Sequence, residues 1–158
     1  ANLCPCAPAD PKDCICGGAV KRRYLGKLSG PLMDRVDLHV QMDPVRAGAF
    51  ADAQGGESTA VVRARVAAAR AAAAERWRPL GVRTNAEVPG PVLRRGYRLP
   101  RAAMAPLRTA LDRGQLSIRG VDRCLRVAWS LADLNGRTSP TLEDTQTALS
   151  FKQRGAAR

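Results

Sequence analysis

Residues 25–40 read LGKLSGPLMDRVDLHV and combine a chain break, a short helical segment and a predicted strand. The Ser-Gly-Pro sequence breaks regular structure, whereas residues 36–40 alternate apolar and polar side chains, as strands do. Arg35 is therefore expected at a helix-to-strand junction. Asp34 and Asp37 are expected to hold its guanidinium while its other N–H donors face an anion. An exposed cluster of ion pairs with little effect on stability is the alternative.

The chain is short and strongly basic. Its 158 residues suffice for one domain with a core, or for a compact domain and a tail. It has 26 lysines and arginines against 14 acidic residues, a formal net charge of +12 and a pI near 10.7, which favours polyanionic partners such as nucleotides or nucleic acid. It has neither an apolar run of about 18 residues nor a signal-peptide pattern, so we expect a cytoplasmic protein with no membrane partner.

Residues 1–18 read ANLCPCAPADPKDCICGG, a loop rich in proline, glycine and cysteine. Four of the five cysteines lie in it as two Cys-x-Cys pairs: Cys4, Cys6, Cys14 and Cys16. Four thiolates on two short arms can build a tetrahedral zinc site that orders a loop without a core. Free thiols and disulfides are the alternatives, and disulfides are rare in the cytosol. Cys124 lies in an apolar helical pattern and is predicted to be a small core residue.

A long amphipathic helix is predicted after Ser58, which can cap its first turn. Its apolar positions recur at helical spacing: Val62, Val66, Ala69, Ala73 and Trp77. Its polar face carries five arginines that contact either phosphate or solvent: Arg63, Arg65, Arg70, Arg76 and Arg78. Gly81 and the Pro-Gly-Pro cluster at residues 89–91 then interrupt regular structure.

Three further helices with short connections are predicted, and together they indicate a small helical bundle. The first spans residues 101–113, with Pro106 expected to kink it or delay its start and Gly114 to end it. Ser117 caps the second. The apolar stripe of this second helix consists of Val121, Leu125, Ala128 and Ala132, and it is flanked by Ile118 and Leu131. Ser139-Pro140 starts the third. The inward residues of the third are Leu142, Thr145 and Leu149.

The central stretch resembles part of a known ATPase family. Residues 28–40, LSGPLMDRVDLHV, resemble the LSGPLLDRIDLHV segment of Mg-chelatase-related AAA+ proteins of the YifB/ComM type. In that family the arginine of the LDR element is the arginine finger, which completes the ATP site of the neighbouring subunit. The resemblance therefore implies that Arg35 is catalytic.

The two ends of the chain carry further motifs of this family. Family members read AMNPCPCG at the end of a core strand, and residues 1–7 read ANLCPCA. Asn2 then matches the sensor 1 asparagine, which hydrogen-bonds the γ-phosphate or the attacking water. Leu3 and Ala7 depart from the family's proline and glycine. Residues 116–134, LSIRGVDRCLRVAWSLADL, resemble the family's lid helix LSARGxxRILRVARTIADL.

Arg119 matches the sensor 2 arginine of the lid, which reads the γ-phosphate. An arginine in the first turn adds its charge to the positive end of the helix dipole, although the dipole slightly disfavours a cation there. It is open whether this residue acts in its own subunit or across the interface. Arg123 and Arg126 recur at nearby turns and are predicted to be surface residues. The alternative is that they extend this face towards nucleic acid.

Two other motifs of the family are not found in these 158 residues. A phosphate-binding loop needs G-x4-G-K-[ST], but the one Gly-Lys pair, Gly26-Lys27, has Lys21 and Leu28 at the flanking motif positions. There is also no hydrophobic strand ending in Asp-Glu to hold a metal ion. We therefore expect the C-terminal part of an AAA+ module, from sensor 1 to the lid.

The expected fold class is mainly α: an AAA+ helical lid bundle with a small remnant of the α/β ATPase core and a Cys-rich loop. We expect three parts. Residues 1–45 are the core remnant, with the Cys-rich loop, the arginine-finger segment and one strand. Residues 46–98 are the long helix and its connection, and residues 99–158 are the lid bundle.

The resemblance implies that the full-length protein uses ATP and Mg²⁺ in a ring, a hexamer, with work on DNA as the output. In ComM-type members this work is branch migration during natural transformation, and in Mg-chelatase relatives it is metal insertion into a porphyrin. The basic charge and the cysteine loop favour DNA, although another client stays open. The alternative from a different class is a zinc-stabilised nucleic-acid-binding or interaction module.

Overall fold

The computed structural model describes residues 4–8, 11–40, 42 and 56–153. The chain divides into two compact units. The first comprises Ala1–Val36 and Gln41–Gln54, and the second comprises Asp37–Val40 and Gly55–Arg158. Across the described ranges the regular structure is α-helix and 3₁₀-helix, with no strand. The prediction of a mainly α protein is confirmed.

The first unit contains two short helices after a 3₁₀ turn at Pro11–Asp13. Helix α1 spans Gly18–Leu25 and helix α2 spans Gly30–Arg35. Ser29 caps α2, because its Oγ accepts a hydrogen bond from the backbone N–H of Leu32 at 3.3 Å. The helix ends where Val36 becomes extended, with φ −84° and ψ 128°. The helical segment predicted before Arg35 is therefore present.

The strand predicted at residues 36–40 is wrong. The N–H of His39 in this stretch donates to the carbonyl of Phe151 at 3.0 Å, and Phe151 lies in a helix. The apolar side chains of Leu38 and Val40 are 50% and 57% exposed. Alternation creates a strand only where a second strand supplies the ladder, and the described residues contain none.

The second unit is a bundle of five helices among the described residues. They are α3 (Thr59–Trp77), α4 (Gly90–Arg95), α5 (Arg101–Asp112), α6 (Ile118–Leu134) and α7 (Leu142–Gln153). Two 3₁₀ turns, Arg78–Leu80 and Asn85–Glu87, connect α3 to α4. Helix α6 contacts all four of the other helices, and α7 packs against both α5 and α6. The predicted helical bundle is thus organised around α6.

The bundle encloses one apolar core with an aromatic centre. Trp77 is fully buried and packs edge-on against Tyr97 and Trp129, with ring centroids 4.6 Å and 5.4 Å away. The predicted stripe of α6 is buried as expected: Val121, Leu125, Ala128 and Ala132. Cys124 is 2% exposed, which confirms it as a core residue, and burial raises the pKa of its thiol to about 11.

The helix ends show which capping predictions hold. Ser58 and Ser117 accept hydrogen bonds from backbone N–H groups three residues later, at 3.4 Å and 3.0 Å, as predicted. Helix α5 runs through Pro106 from Arg101, so its start is not delayed, and it ends just before Gly114, which has φ +68°.

Helix α7 begins two residues later than the Ser139-Pro140 prediction. The N–H and hydroxyl of Thr141 both donate to the carboxylate of Asp144, at 2.8 Å and 3.0 Å. This Thr-x-x-Asp contact caps the first turn, so the helix begins at Leu142, directly after Thr141. Thr145 faces inward and is fully buried as predicted, but Leu142 is 42% exposed.

Candidate functional site

The four cysteines of the N-terminal loop lie together. The Sγ atoms of Cys4, Cys6 and Cys14 are 3.2–3.6 Å from one another, and all four Sγ atoms, including that of Cys16, lie within 4.8 Å of one another. Four thiolates around a tetrahedral zinc ion, each about 2.3 Å from the metal, are roughly 3.8 Å apart. The cluster therefore has the donor type and nearly the spacing that a zinc site needs.

The backbone of the loop brings the two Cys-x-Cys arms together at some conformational cost. Ala7, directly after the first arm, has φ +43°, a left-handed conformation that glycine adopts without strain. The family segment that residues 1–7 resemble has glycine at this position. A side chain in this conformation costs about 1–2 kcal/mol, so a stabilising contact must compensate for it.

The electrostatics of the cluster favour one thiolate. The pKa of Cys14 is lowered to about 6, chiefly by a backbone hydrogen bond from Cys16 and then by the thiol of Cys4. The pKa of Cys6 is raised to about 12 by its hydrogen bonds to neighbouring cysteines, first of all Cys4. Lys21 contacts Cys14, and this contact raises the pKa of the Lys21 ammonium. The loop thus already stabilises negative charge on sulfur.

Arg35 is the last residue of α2 and is exposed. Among the described residues no hydrogen bond or ion pair engages its guanidinium. The expected clamp by Asp37 is wrong, because that carboxylate instead pairs with Arg123 on α6. Pairing of Asp37 with a residue 86 positions away was not visible in the local Asp-Arg-x-Asp pattern.

Arg119 lies in the first turn of α6, directly after the Ser117–Ile118 boundary, and is exposed. Arg123 and Arg126, at the following turns, were predicted at the surface but are partly buried. Arg123 is only 21% exposed in its ion pair with Asp37. Arg126 donates two hydrogen bonds to the carbonyl of Val88, at 3.1 Å and 2.9 Å. Their guanidiniums tie segments of the bundle together and do not form a nucleic-acid face.

A buried polar network joins α3 to α6. Arg76, predicted on the polar face, instead donates two hydrogen bonds to Asp133, and the side chains are 14% and 1% exposed. Its guanidinium also lies 4.3 Å above the ring centroid of Trp129. This pair is the largest departure from the sequence-based interpretation of α3.

Asn85 is the centre of this network. Its Oδ1 accepts from the indole N–H of Trp77 at 2.7 Å, and its Nδ2 donates to Asp133 at 2.9 Å and to Ser130 at 3.1 Å. The network therefore satisfies the polar atoms of a 7% exposed asparagine and a 6% exposed aspartate. A cavity of about 290 Å³ adjoins it, between α3 and α6.

A second cavity of about 420 Å³ lies beside the start of α5. We call it the arginine groove, and its lining residues are Arg98, Leu99, Arg101, Met104 and Arg108. Sequence inspection did not single it out, because its arginines are spread over two turns of helix and a connection. The clue in the sequence is the near absence of carboxylates around them.

Of the sequence-predicted site residues, the structure assembles the four cysteines. Asn2 lies outside the described residues, and the expected roles of Arg35 and Arg119 remain predictions. No helix in the described ranges is both long and apolar enough to cross a membrane.

Comparison with protein families gives two matches in chain order. Residues 1–50 match the model of magnesium chelatase, subunit ChlI, and residues 56–152 match that of the ChlI C-terminal region. An uncharacterized protein of Mycobacterium tuberculosis is 73% identical over all 158 residues, which cover 31% of its length. The uncharacterized protein YifB of Escherichia coli is 34% identical over 131 residues, 82% of this chain and 25% of YifB.

The competence protein ComM of Haemophilus influenzae is 33% identical over 115 residues, 72% of this chain and 22% of ComM. The chain thus spans less than a third of the length of each of these relatives. No solved structure matches it.

Proposed function

Because the chain belongs to the magnesium chelatase ChlI family, we propose that it forms the sensor 1-to-lid part of an AAA+ ATPase that hydrolyses ATP in a ring. The match of the C-terminal family model to residues 56–152 is the observation that carries this proposal. Those residues form the helical bundle around α6, which accordingly corresponds to the lid. The three-part division at residues 45 and 98 stays a prediction.

Three residues have proposed roles at the nucleotide, which is bound with Mg²⁺. Asn2 would position the attacking water, and Arg119 would contact the γ-phosphate from the lid. Arg35 would reach the ATP of the neighbouring subunit. The structural support is clearest for Arg35, since an arginine finger needs an exposed guanidinium, and none of the described residues engages the donors of this one.

We propose DNA as the substrate on which the ring works, with branch migration as the form of that work. The net charge of +12 and the similarity to a competence protein support this choice. Metal insertion, the work of a magnesium chelatase subunit, is the second candidate and rests on the family match alone.

The 158-residue chain should hydrolyse no ATP, whereas the full-length protein should release phosphate steadily. The reason is that the chain lacks a phosphate-binding loop, so Asn2, Arg35 and Arg119 have no bound nucleotide on which to act. Phosphate release should be measured for both proteins against a blank without protein, with and without DNA. A full-length protein without ATP hydrolysis would contradict the ATPase proposal and favour an interaction module.

We further propose that the cysteine cluster holds a structural zinc ion through all four sulfurs. The mutual Sγ distances and the strained Ala7 support this, since a metal bond to each arm would compensate for the conformational cost of the loop. Within the described residues the loop has one buried side chain, Cys4, and hence almost no apolar core of its own. Zinc would therefore serve the stability of the first unit and take no part in chemistry.

The purified chain should contain about one zinc ion per molecule, released by a thiol-modifying reagent. Cys14→Ser should reduce the zinc content well below stoichiometry, because only three sulfur ligands remain. Cys124→Ala is the matched control, since this cysteine lies in the bundle core, and it should leave the zinc content unchanged. Elemental analysis of reduced, folded protein is the measurement. Substoichiometric zinc in the unsubstituted chain would leave the four cysteines as free thiols.

A further inference from the structure

The arginine groove presents three guanidiniums on one side of the bundle. Arg98, Arg101 and Arg108 are all exposed. Arg101 and Arg108 lie on the same face of α5, two turns and about 10 Å apart along its axis. Leu99 and Met104 form the apolar part of its lining. Arg101 and Arg108 are therefore spaced along the helix axis, and Arg98 lies on the connection before α5.

The charge of the groove is not balanced within its own part of the chain. Residues 94–113 contain six arginines and one carboxylate, Asp112. In the described part of the molecule no carboxylate pairs with the three groove arginines, and the first turn of α5 has no acidic residue. Other arginines of the second unit have acidic partners, and these are Arg65, Arg76, Arg78, Arg94, Arg123 and Arg137.

We propose that the arginine groove binds the phosphodiester backbone of nucleic acid. Arginines spaced about 10 Å apart along one helix face can contact different phosphates of one strand. Leu99 and Met104, the apolar part of the lining, can contact the sugars. No aromatic side chain is among the lining residues, so base stacking is not provided and binding should be independent of sequence. The inference deepens the proposed function, because it assigns the DNA contact to one surface of the lid.

The test is the salt dependence of DNA binding by the full-length protein without ATP. Arg101→Gln/Arg108→Gln should weaken binding to a duplex oligonucleotide and make the slope of log K against log salt shallower by about 2, one for each lost phosphate contact. Fluorescence anisotropy at several salt concentrations gives this slope. Arg101→Lys/Arg108→Lys keeps both charges and should restore the slope.

Arg63→Gln/Arg70→Gln is a closely matched control. These two arginines are also exposed and two turns apart, but they lie on α3. Their substitution removes the same charge from the same unit. The control should leave the slope nearly unchanged. Equal slopes for the two double variants would show a general charge effect and would overturn the proposal. Circular dichroism and thermal unfolding establish that both variants are folded.

Two further arms identify the source of the phosphate. Inorganic triphosphate, tested as a competitor at constant ionic strength, should displace little DNA. If triphosphate binds the unsubstituted protein and Arg101→Gln/Arg108→Gln abolishes this binding, the groove is a nucleotide site and the proposal fails.

The groove proposal and the ATPase proposal can fail separately, because DNA binding is measured without ATP. A lack of ATP hydrolysis would refute the ATPase alone. Unchanged slopes in a protein that hydrolyses ATP would refute the groove alone.

Discussion

Replacing Arg35 with alanine in the full-length protein should reduce ATP turnover by about 10³–10⁵-fold, with nucleotide affinity nearly unchanged. An arginine finger stabilises charge that develops in the transition state on a nucleotide held by another subunit, so its loss affects the chemical step and not ground-state binding. The measurements are steady-state phosphate release and the equilibrium binding of a labelled nucleotide.

Arg23→Ala is the control for this experiment, since Arg23 is an exposed arginine on α1 of the same unit and its loss should change turnover little. Subunit mixing then locates the finger. Arg35→Ala protein mixed with a variant lacking the lysine of the phosphate-binding loop should regain activity, because some interfaces then combine an intact finger with an intact nucleotide pocket. Rings that exchange subunits without regaining activity would mean that Arg35 acts within its own subunit or is merely structural, and would contradict the finger proposal.

Replacing Asp133 with alanine should destabilise the bundle by about 3–5 kcal/mol. The substitution leaves the Arg76 guanidinium buried without its carboxylate, and it also removes an acceptor from Asn85. Urea unfolding of the 158-residue chain, followed by circular dichroism, measures the loss of free energy of unfolding.

Glu57→Ala provides the exposed counterpart to this substitution. Its ion pair with Arg65 has side chains that are 53% and 46% exposed, so its removal should change the free energy of unfolding little. A second comparison separates packing from charge. Arg76→Met/Asp133→Leu should lose clearly less stability than the two single changes together, since no unpaired charge remains. Similar costs for Asp133→Ala and Glu57→Ala would mean that the network contributes little.

Local patterns in the sequence predict those features that local interactions decide. Ser58 and Ser117 act as helix caps, and the stripe of α6 is buried, because capping and helical periodicity depend on residues within a few positions. The four-cysteine cluster is predicted for a similar reason. Two Cys-x-Cys arms a few residues apart in one loop have only a short distance to close.

Features decided by distant residues were not predicted. Helical spacing assigns Arg76 to the polar face, and its partner Asp133 follows 57 positions later. The strand predicted at residues 36–40 has no partner strand among the described residues and does not form. Asp37 instead forms an ion pair with Arg123. The start of α7 was misplaced for a different reason. Ser139-Pro140 is a good start signal, but Thr141 and Asp144 form a better one.

The aromatic centre of the bundle also gives the chain a built-in optical reporter. Its only two tryptophans, Trp77 and Trp129, are in contact with each other in the second unit, and the first unit has none. Intrinsic tryptophan emission therefore follows the unfolding of the bundle and is silent about the cysteine loop. Emission at increasing urea, recorded beside the rate of thiol labelling in Cys124→Ala protein, would show whether the two units unfold together or one after the other.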